Sequence, residues 1–354
     1  MRRSITCLIT AISLLGIQTS PGLLSPSSAH EHKTINQNGL IAQSTSTVES
    51  RDIMEFKGAI VTLGVSPDGD TLIVGSNDGQ IVAISLNNFE EIYSLPLRAN
   101  PYSDIVFSSD GQFFAVAQKQ IIYIYQTDTG KQLKTLKAHT GNISGLAINP
   151  DDRTLVSSSG QDLTIKIWDL ATGDLRQDIK ENIGAISTIA FHPNGTFFAT
   201  GAENVGSDRI IKYWEAKEDG SAETFPTYEL VETLPKQFGF IYDLSFDSKG
   251  EKLVAAVRNY LKVWDVQENN NEILALKVSS LDLNRIAISP DSRFIATANR
   301  EGKIQIIDVN TKNIIATLTG HEGWVQAIAF SPDGQKLYSG ADDKIVKIWD
   351  ISGL

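Results

Sequence analysis

The sequence predicts an all-β protein, a seven-bladed β-propeller of four-stranded antiparallel blades, closed by an N-terminal strand that completes the last blade. Two ladders of residues running in step and a final copy that is one strand short carry this prediction. The first ladder is a turn phrase: "SPDG" at Ser66 to Gly69 returns as "SSDG" from Ser108, "NPDD" from Asn149, "HPNG" from His192, "DSKG" from Asp247, "SPDS" from Ser289 and "SPDG" from Ser331. The spacings are 42, 41, 43, 55, 42 and 42 residues. Pro presets φ and Asp with Gly completes a tight turn, so each copy, flanked by alternating apolar runs, joins two strands as a hairpin.

The second ladder marks the last core-facing position of the third strand, at Ile84, Tyr125, Trp168, Trp214, Trp264, Ile307 and Trp349. Between turn and anchor, segments such as "KLYSGADDKIVKIW" and "TLIVGSNDGQIVAI" hold two strands around a short polar turn, and "KQLKTL" at 131 or "NIIATL" at 313 supplies a fourth. Four short strands recurring at this period cannot cover both faces of one sheet and must stack on copies of themselves. Past Trp349 only "DISGL" remains, too little for a fourth strand. Upstream, "SRDIMEFKG" stands to "AIVTLGV" as "QLKTLKAH" stands to "NISGLAI", so residues near Arg51 to Phe56 are expected to supply the missing outer strand. A ring latched this way leaves no long exposed edge at its seam. The extra length behind the 55-residue spacing falls in "ENVGSDR" at 203–209 and "EAKEDGSAETFPTYE" at 215–229, both expected to be loops.

The first 29 residues differ from the rest. Arg2 and Arg3 precede an uncharged, mostly apolar run from Ile5 to Ile17, and Ser27 and Ala29 supply small residues, the pattern of a secretory signal cleaved after Ala29. The competing reading is an uncleaved anchor, but the run falls short of the roughly 20 apolar residues that a spanning helix needs. Residues 30–49, rich in Gln, Asn, Ser and Thr, read as a flexible tether, and 50–354 as the propeller. An exported, periplasmic or extracellular protein is expected. Cys7, the one cysteine, lies in the signal, so the mature chain has no thiol for a disulfide or a thiolate metal site. The formal charge is −11, and −13 without Arg2 and Arg3, which disfavours phosphate backbones and anionic lipid.

These residues resemble the WD-repeat family of β-propellers, of the bacterial exported type, over roughly residues 50–354. The hallmark pairs stand at Trp168-Asp169, Trp264-Asp265 and Trp349-Asp350, and the "GH" element at Gly320-His321, with a weaker form at Ala138-His139. The resemblance implies a buried structural network of His139, Ser157, Asp162 and Trp168, and of His321, Ser339, Asp343 and Trp349. Asp208 with Trp214, and Asp78 with Ile84, keep the same spacing of six. In the copies carrying Tyr125, Trp264 and Ile307 the network is expected to be incomplete.

Chemistry on this scaffold would need acids, bases or ligands converging at one end of the channel. His139 and His321 belong to the structural sets, His192 sits in a hairpin turn, and His30 and His32 lie in the tether. No G-x-S-x-G, H-E-x-x-H, EF-hand loop or P-loop is present, so no catalytic residue and no cofactor is assigned. Two alternatives stay open: a hydrolase or lyase using channel Asp or Glu, and a metal or small-ligand binder. Cleavage after Ala29 would start the chain at His30-Glu31-His32, which could chelate Cu(II) or Ni(II).

What remains is a binding surface. Alignment on Trp324 and Gln326 selects rim positions at Asn142 and Ser144, Phe240 and Tyr242, and Asp282 and Asn284, with Arg258 and Arg300 in neighbouring turns. The resemblance implies that these face the end where partners dock, and aromatics with Arg dominate interface energetics. The expected function is a monomeric, non-catalytic scaffold for a protein or peptide partner, with no nucleic acid and no stable membrane insertion.

Overall fold

Each Ser/Pro/Asp/Gly turn separates two runs in which every second side chain is apolar, and both runs are strands. The computed structural model describes residues 48–97, 104–180, 185–203, 210–217 and 225–354. These form seven four-stranded antiparallel sheets and contain no helix. Blades 1 to 6 take their strands in chain order and span 60–95, 106–137, 143–179, 185–233, 241–277 and 283–319. Blade 7 combines three strands over 325–350 with Ser50–Glu55 as its fourth. The second strands of blades 1, 3 and 6, Thr71–Ser76, Thr154–Ser159 and Phe294–Asn299, are buried at every position, because adjacent blades cover both of their faces. Outer strands such as Glu91–Leu95 are largely exposed.

The core is divided into seven apolar clusters, and each fills the space between two neighbouring blades. At the seam, Ile60, Leu63, Leu72 and Val74 of blade 1 pack with Tyr338, Val346 and Ile348 of blade 7. The approach there is close: a Cβ on Gly340 would fall 2.3 Å from Ile60 Cγ2, so no larger residue fits without moving a strand.

The closing strand pairs as the missing strand demands. Ser50 faces Trp349, Arg51 faces Ile348, Asp52 faces Lys347 and Glu55 faces Ile345, with one bulge at Ile53. Phe56 N–H adds a bond to Lys344 O at 2.8 Å, and the Arg51 guanidinium lies 5.1 Å from the ring centroid of Phe89 in blade 1.

The hairpin turns form a belt at one end. Pro67 lies against Gly111, Pro290 against Gly334 and Pro332 against Gly69. Ser109 N–H donates to Asp152 Oδ1 at 2.7 Å, Asn149 Nδ2–H to Gly195 O at 3.0 Å, His192 Nε2–H to Gly250 O at 3.0 Å and Ser248 Oγ–H to Pro290 O at 2.8 Å. Each of the seven junctions is thus bridged turn to turn. Gly250 is required twice over, by φ = 71° and because a Cβ there would sit 2.1 Å from His192 Nε2.

The long spacing in blade 4 is met partly by longer strands. Residues 215–217 and 227–229, expected in a loop, belong to the seven-residue strands Ile211–Lys217 and Thr227–Thr233, and Glu203 ends Phe197–Glu203. The rest of both insertions, with Asp208, lies outside the described residues, as do the leader and all but the last two residues of the tether with His30 and His32.

Candidate functional site

Two constellations have the outline of hydrolytic triads. In blade 3, His139 Nδ1 lies 2.9 Å from Asp162 Oδ2 and Nε2 lies 2.8 Å from Ser157 Oγ, while Trp168 Nε1–H donates to Ser157 Oγ at 2.8 Å. Blade 7 repeats the set, with His321 2.8 Å from Asp343 and 2.7 Å from Ser339, and Trp349 Nε1–H donating to Ser339 at 2.8 Å. The partners assign one direction of donation: indole N–H to Ser oxygen, Ser O–H to Nε2, and Nδ1–H to carboxylate. Burial pushes both imidazoles below their ordinary pKa despite the adjacent carboxylates, so they are neutral at pH 7. Burial alone would raise Asp162 and Asp343, but bonds from the histidine and nearby groups hold both below the usual carboxylate range.

These sets cannot act as nucleophiles. Ser157 and Ser339 are fully buried and their oxygens already accept an indole N–H, so no carbonyl carbon can approach. Their work is to fasten a loop: Asp162 also accepts Thr140 N–H at 2.9 Å, and Asp343 accepts Glu322 N–H at 3.0 Å. In blade 4, Trp214 Nε1–H donates to Thr200 Oγ1 at 3.0 Å.

The rim at the opposite end from the turn belt is built by bulges. Among the described residues, six inner strands carry one extra residue near their start, namely Val61, Ser144, Ser187, Tyr242, Asn284 and Gln326. A bulge re-aims its side chain out of the pleat. Four of these side chains reach the next blade: Ser144 Oγ–H bonds Ile186 O, Ser187 Oγ–H bonds Ile241 O at 2.5 Å, Tyr242 Oη–H bonds Asp282 Oδ2 at 2.9 Å and Asn284 Nδ2–H bonds Val325 O at 3.1 Å.

Over blades 5 to 7 these positions merge into one surface. Phe240 meets Tyr242 edge to face at 6.2 Å between centroids. Arg300 then lies between two rings, its guanidinium 5.7 Å from the Tyr242 centroid and 4.6 Å from that of Trp324, and its Nε–H donates to Asn284 Oδ1 at 3.3 Å. Arg258 pairs with Asp282 at 3.7 Å, and Gln326 Nε2–H donates to Asp342 at 2.6 Å. Trp324 is 40% exposed. The structure therefore groups Phe240, Tyr242, Arg258, Arg300, Trp324 and Gln326. It leaves Asn142 exposed on blade 3, where its N–H donates to Gln161 Oε1, and it buries Asn284. Sequence reasoning missed Phe238, 94% exposed beside Phe240, and exposed Leu281 beside Asp282. Both lie in loops without periodicity; their one available signal was a large apolar residue just before an inner strand.

The channel contributes charge as well. A cavity of about 240 Å³ is lined by Gly64, Asp104, Asp243, Ser245 and Arg285 among others. Arg285 of blade 6 reaches Asp104 at 3.3 Å and donates Nε–H to Gln326 O at 3.3 Å. Asp243 accepts Leu244 N–H and Ile286 N–H, each at 2.9 Å. Burial pushes its carboxyl up against the pull of Arg285. With these bonds Asp243 ties blade 5 to blade 6. Among the described residues, no three His, Asp or Glu side chains converge as metal ligands.

Seven four-stranded blades with buried Trp–Ser–His–Asp sets define a propeller of repeat type. Comparison with known proteins gives the same class: the family model described as the first β-propeller of WD repeat-containing protein 75 matches residues 106–350, and that of the WD domain, G-beta repeat, matches 51–83. The chain belongs to the WD-repeat β-propeller family. It is 42% identical over 282 residues to an uncharacterized WD repeat-containing protein of Synechocystis sp., covering 79% of this chain and 78% of that protein. It is 26% identical to nuclear distribution protein PAC1 of Arthroderma benhamiae (65% of this chain, 54% of that protein) and 24% identical to pre-mRNA-processing factor 19 homolog 2 of Arabidopsis thaliana (96% and 60%). The chain thus spans a little over half of those two relatives. Propellers of this family are generally scaffolds for protein interaction.

Proposed function

We propose that this protein is a non-catalytic scaffold that is exported, works as a monomer, and holds a protein or peptide partner on the rim of blades 5 to 7. The observation that carries the reading is the Arg300 guanidinium held between Tyr242 and Trp324, with Phe238 almost wholly exposed alongside. A cation already sandwiched by rings loses little side-chain entropy on binding, and exposed aromatics supply the apolar area that anchors an interface. The acidic net charge disfavours nucleic acid. Capture from the exported fraction with the mature chain, compared with Trp324→Ala and Arg300→Ala, tests it. A specific partner should be lost from both variants at unchanged melting temperature; equal capture by all three chains rejects the rim. N-terminal sequencing should find His30 first, and a retained leader rejects cleavage after Ala29.

A further inference from the structure

Arg300 on the rim is a cation that the protein positions but does not neutralise. Elsewhere guanidinium groups meet carboxylates: Arg176 pairs with Asp169 at 2.6 Å, Arg285 with Asp104 at 3.3 Å and Arg293 with Asp308 at 3.4 Å. Arg300 makes no ion pair among the described residues, in a chain where Asp and Glu number 42 against 31 Lys and Arg. Its Nε–H donates to Asn284 Oδ1 at 3.3 Å, and the Tyr242 and Trp324 rings hold the guanidinium between them. Both Nη groups reach the surface, and neither has an acceptor among the described residues. A planar fork of N–H donors fixed in place suits an acceptor with two oxygens side by side.

Apolar side chains flank this cation on both sides. Towards blade 7, Trp324 is 40% exposed. Towards blade 5, Phe238, 94% exposed, adjoins Phe240, whose ring meets Tyr242; Leu281, 49% exposed, adjoins Asp282, which accepts Tyr242 Oη–H. Arg258, the other guanidinium of the cluster, is already paired with Asp282 at 3.7 Å, which leaves Arg300 to recognise charge. An extended chain crossing from blade 5 to blade 7 presents alternate side chains to the rim, roughly 7 Å apart. It can set a carboxylate over Arg300 with a large apolar residue before and after it. A chain-terminal carboxylate would reach only one flank. Phosphate, with a charge of about −1.5 to −2, meets more repulsion from a protein of formal charge −11 than a single carboxylate does.

We propose that the rim recognises an internal acidic side chain, in an extended partner segment of the pattern apolar-x-Glu/Asp-x-apolar. The carboxylate accepts both Nη groups of Arg300, and the apolar residues lie against Trp324 on one side and Phe238 with Leu281 on the other. The assignment rests on the rim being the docking surface and adds what the partner brings to it. Titration calorimetry of the full chain with acetyl-Phe-Ser-Glu-Ser-Leu-amide tests it, with Gln and phosphoserine in place of Glu as comparison ligands. The Glu peptide should bind saturably and the Gln peptide roughly tenfold more weakly, through loss of a charge-assisted pair. Arg300→Gln should bind both alike, at the level of the Gln peptide on the parent. If that variant does not fold, Arg300→Lys, which keeps the charge but not the fork, should narrow the gap. Trp324→Ala should weaken both peptides and preserve their ratio. No saturable binding, equal affinity of the parent for the Glu and Gln peptides, or a gap that survives Arg300→Gln overturns the proposal; tighter binding of the phosphoserine peptide overturns the choice of a carboxylate. A partner captured by the parent and lost from Trp324→Ala in spite of any of these results leaves the rim standing as the docking surface, so the two fail separately.

Discussion

Blades 6 and 7 stand side by side and solve one problem in two ways. Blade 7 runs an unbroken chain of bonds from Trp349 through Ser339 and His321 to Asp343, and from there to the loop N–H of Glu322. Blade 6 has Ile307, Thr297, Ser279 and Glu301 in the same places. Glu301, six residues before Ile307 as Asp343 is before Trp349, accepts Ser280 N–H at 3.2 Å and Ser279 Oγ–H at 3.3 Å, so the loop is still fastened. The strand half of the chain is gone: Ile307 is buried by packing alone, and Thr297 Oγ1 is buried with no partner. The carboxylate that catches the loop is therefore the essential part, and the indole–hydroxyl bond is one of two ways to fill the space beneath.

The comparison breaks most visibly at the carboxylates. Asp343→Ala strands His321 Nδ1–H and the Glu322 and Ile345 N–H groups, and should cost about 3 kcal/mol in urea unfolding, whereas Glu301→Ala, on a more exposed group, should cost under about 1 kcal/mol. Equal costs would show that the histidine adds nothing. A sharper and smaller contrast uses one substitution twice. Thr200→Val in blade 4 removes the acceptor of Trp214 Nε1–H and should destabilise by about 1 kcal/mol, while Thr297→Val removes a hydroxyl that bonds nothing and should be neutral or stabilising by roughly 0.5 kcal/mol.

The smallest effect near neutrality is that of pH. The folded histidines have pKa values below their unfolded value of roughly 6.5, so the unfolded chain binds more protons as pH falls. Their contribution is complete above that value and declines as pH drops below it toward the folded pKa. Asp162 and Asp343, depressed in the fold, lose theirs only further down, below the ordinary carboxylate range. Glu301, held down to about 2 chiefly by its bond from Ser280 and also by Lys303, should keep its loop fastened throughout. Amide-exchange protection at Thr140 and Glu322 should therefore fall between pH 7 and pH 5 while that at Ser280 holds. A parallel loss at all three would remove the imidazoles as the cause.

The ring was legible because its signals are local and repeated: a turn phrase and an anchor recur in step, and the seam pairing of Arg51 with Ile348 follows from a count of strands. The rim was legible in part. Trp324 shares an aligned position with Phe240, Tyr242 with Gln326 and Arg300 with Arg258, yet the stacking of Arg300 on Tyr242 depends on a bulge that no single strand announces. Glu301 was hidden by its neighbours, since Ile307 broke the motif that would have drawn attention to the spacing. Asp243 and Arg285 were out of reach for a different reason: they come from adjacent strands of different blades, and their surroundings exist only once the channel does.

The seam has a consequence for the order in which the molecule can be made. The strand at 50–55 precedes every blade in the chain, yet its sheet partner among the described residues, 345–350, follows the first six blades. Blades 1 to 6 can form in succession from neighbouring segments, but the closure must pair strands separated by all six of them, the kind of distant pairing that slows folding. Until then the strand at 50–55 lacks its sheet neighbour and the circle of blades stays open.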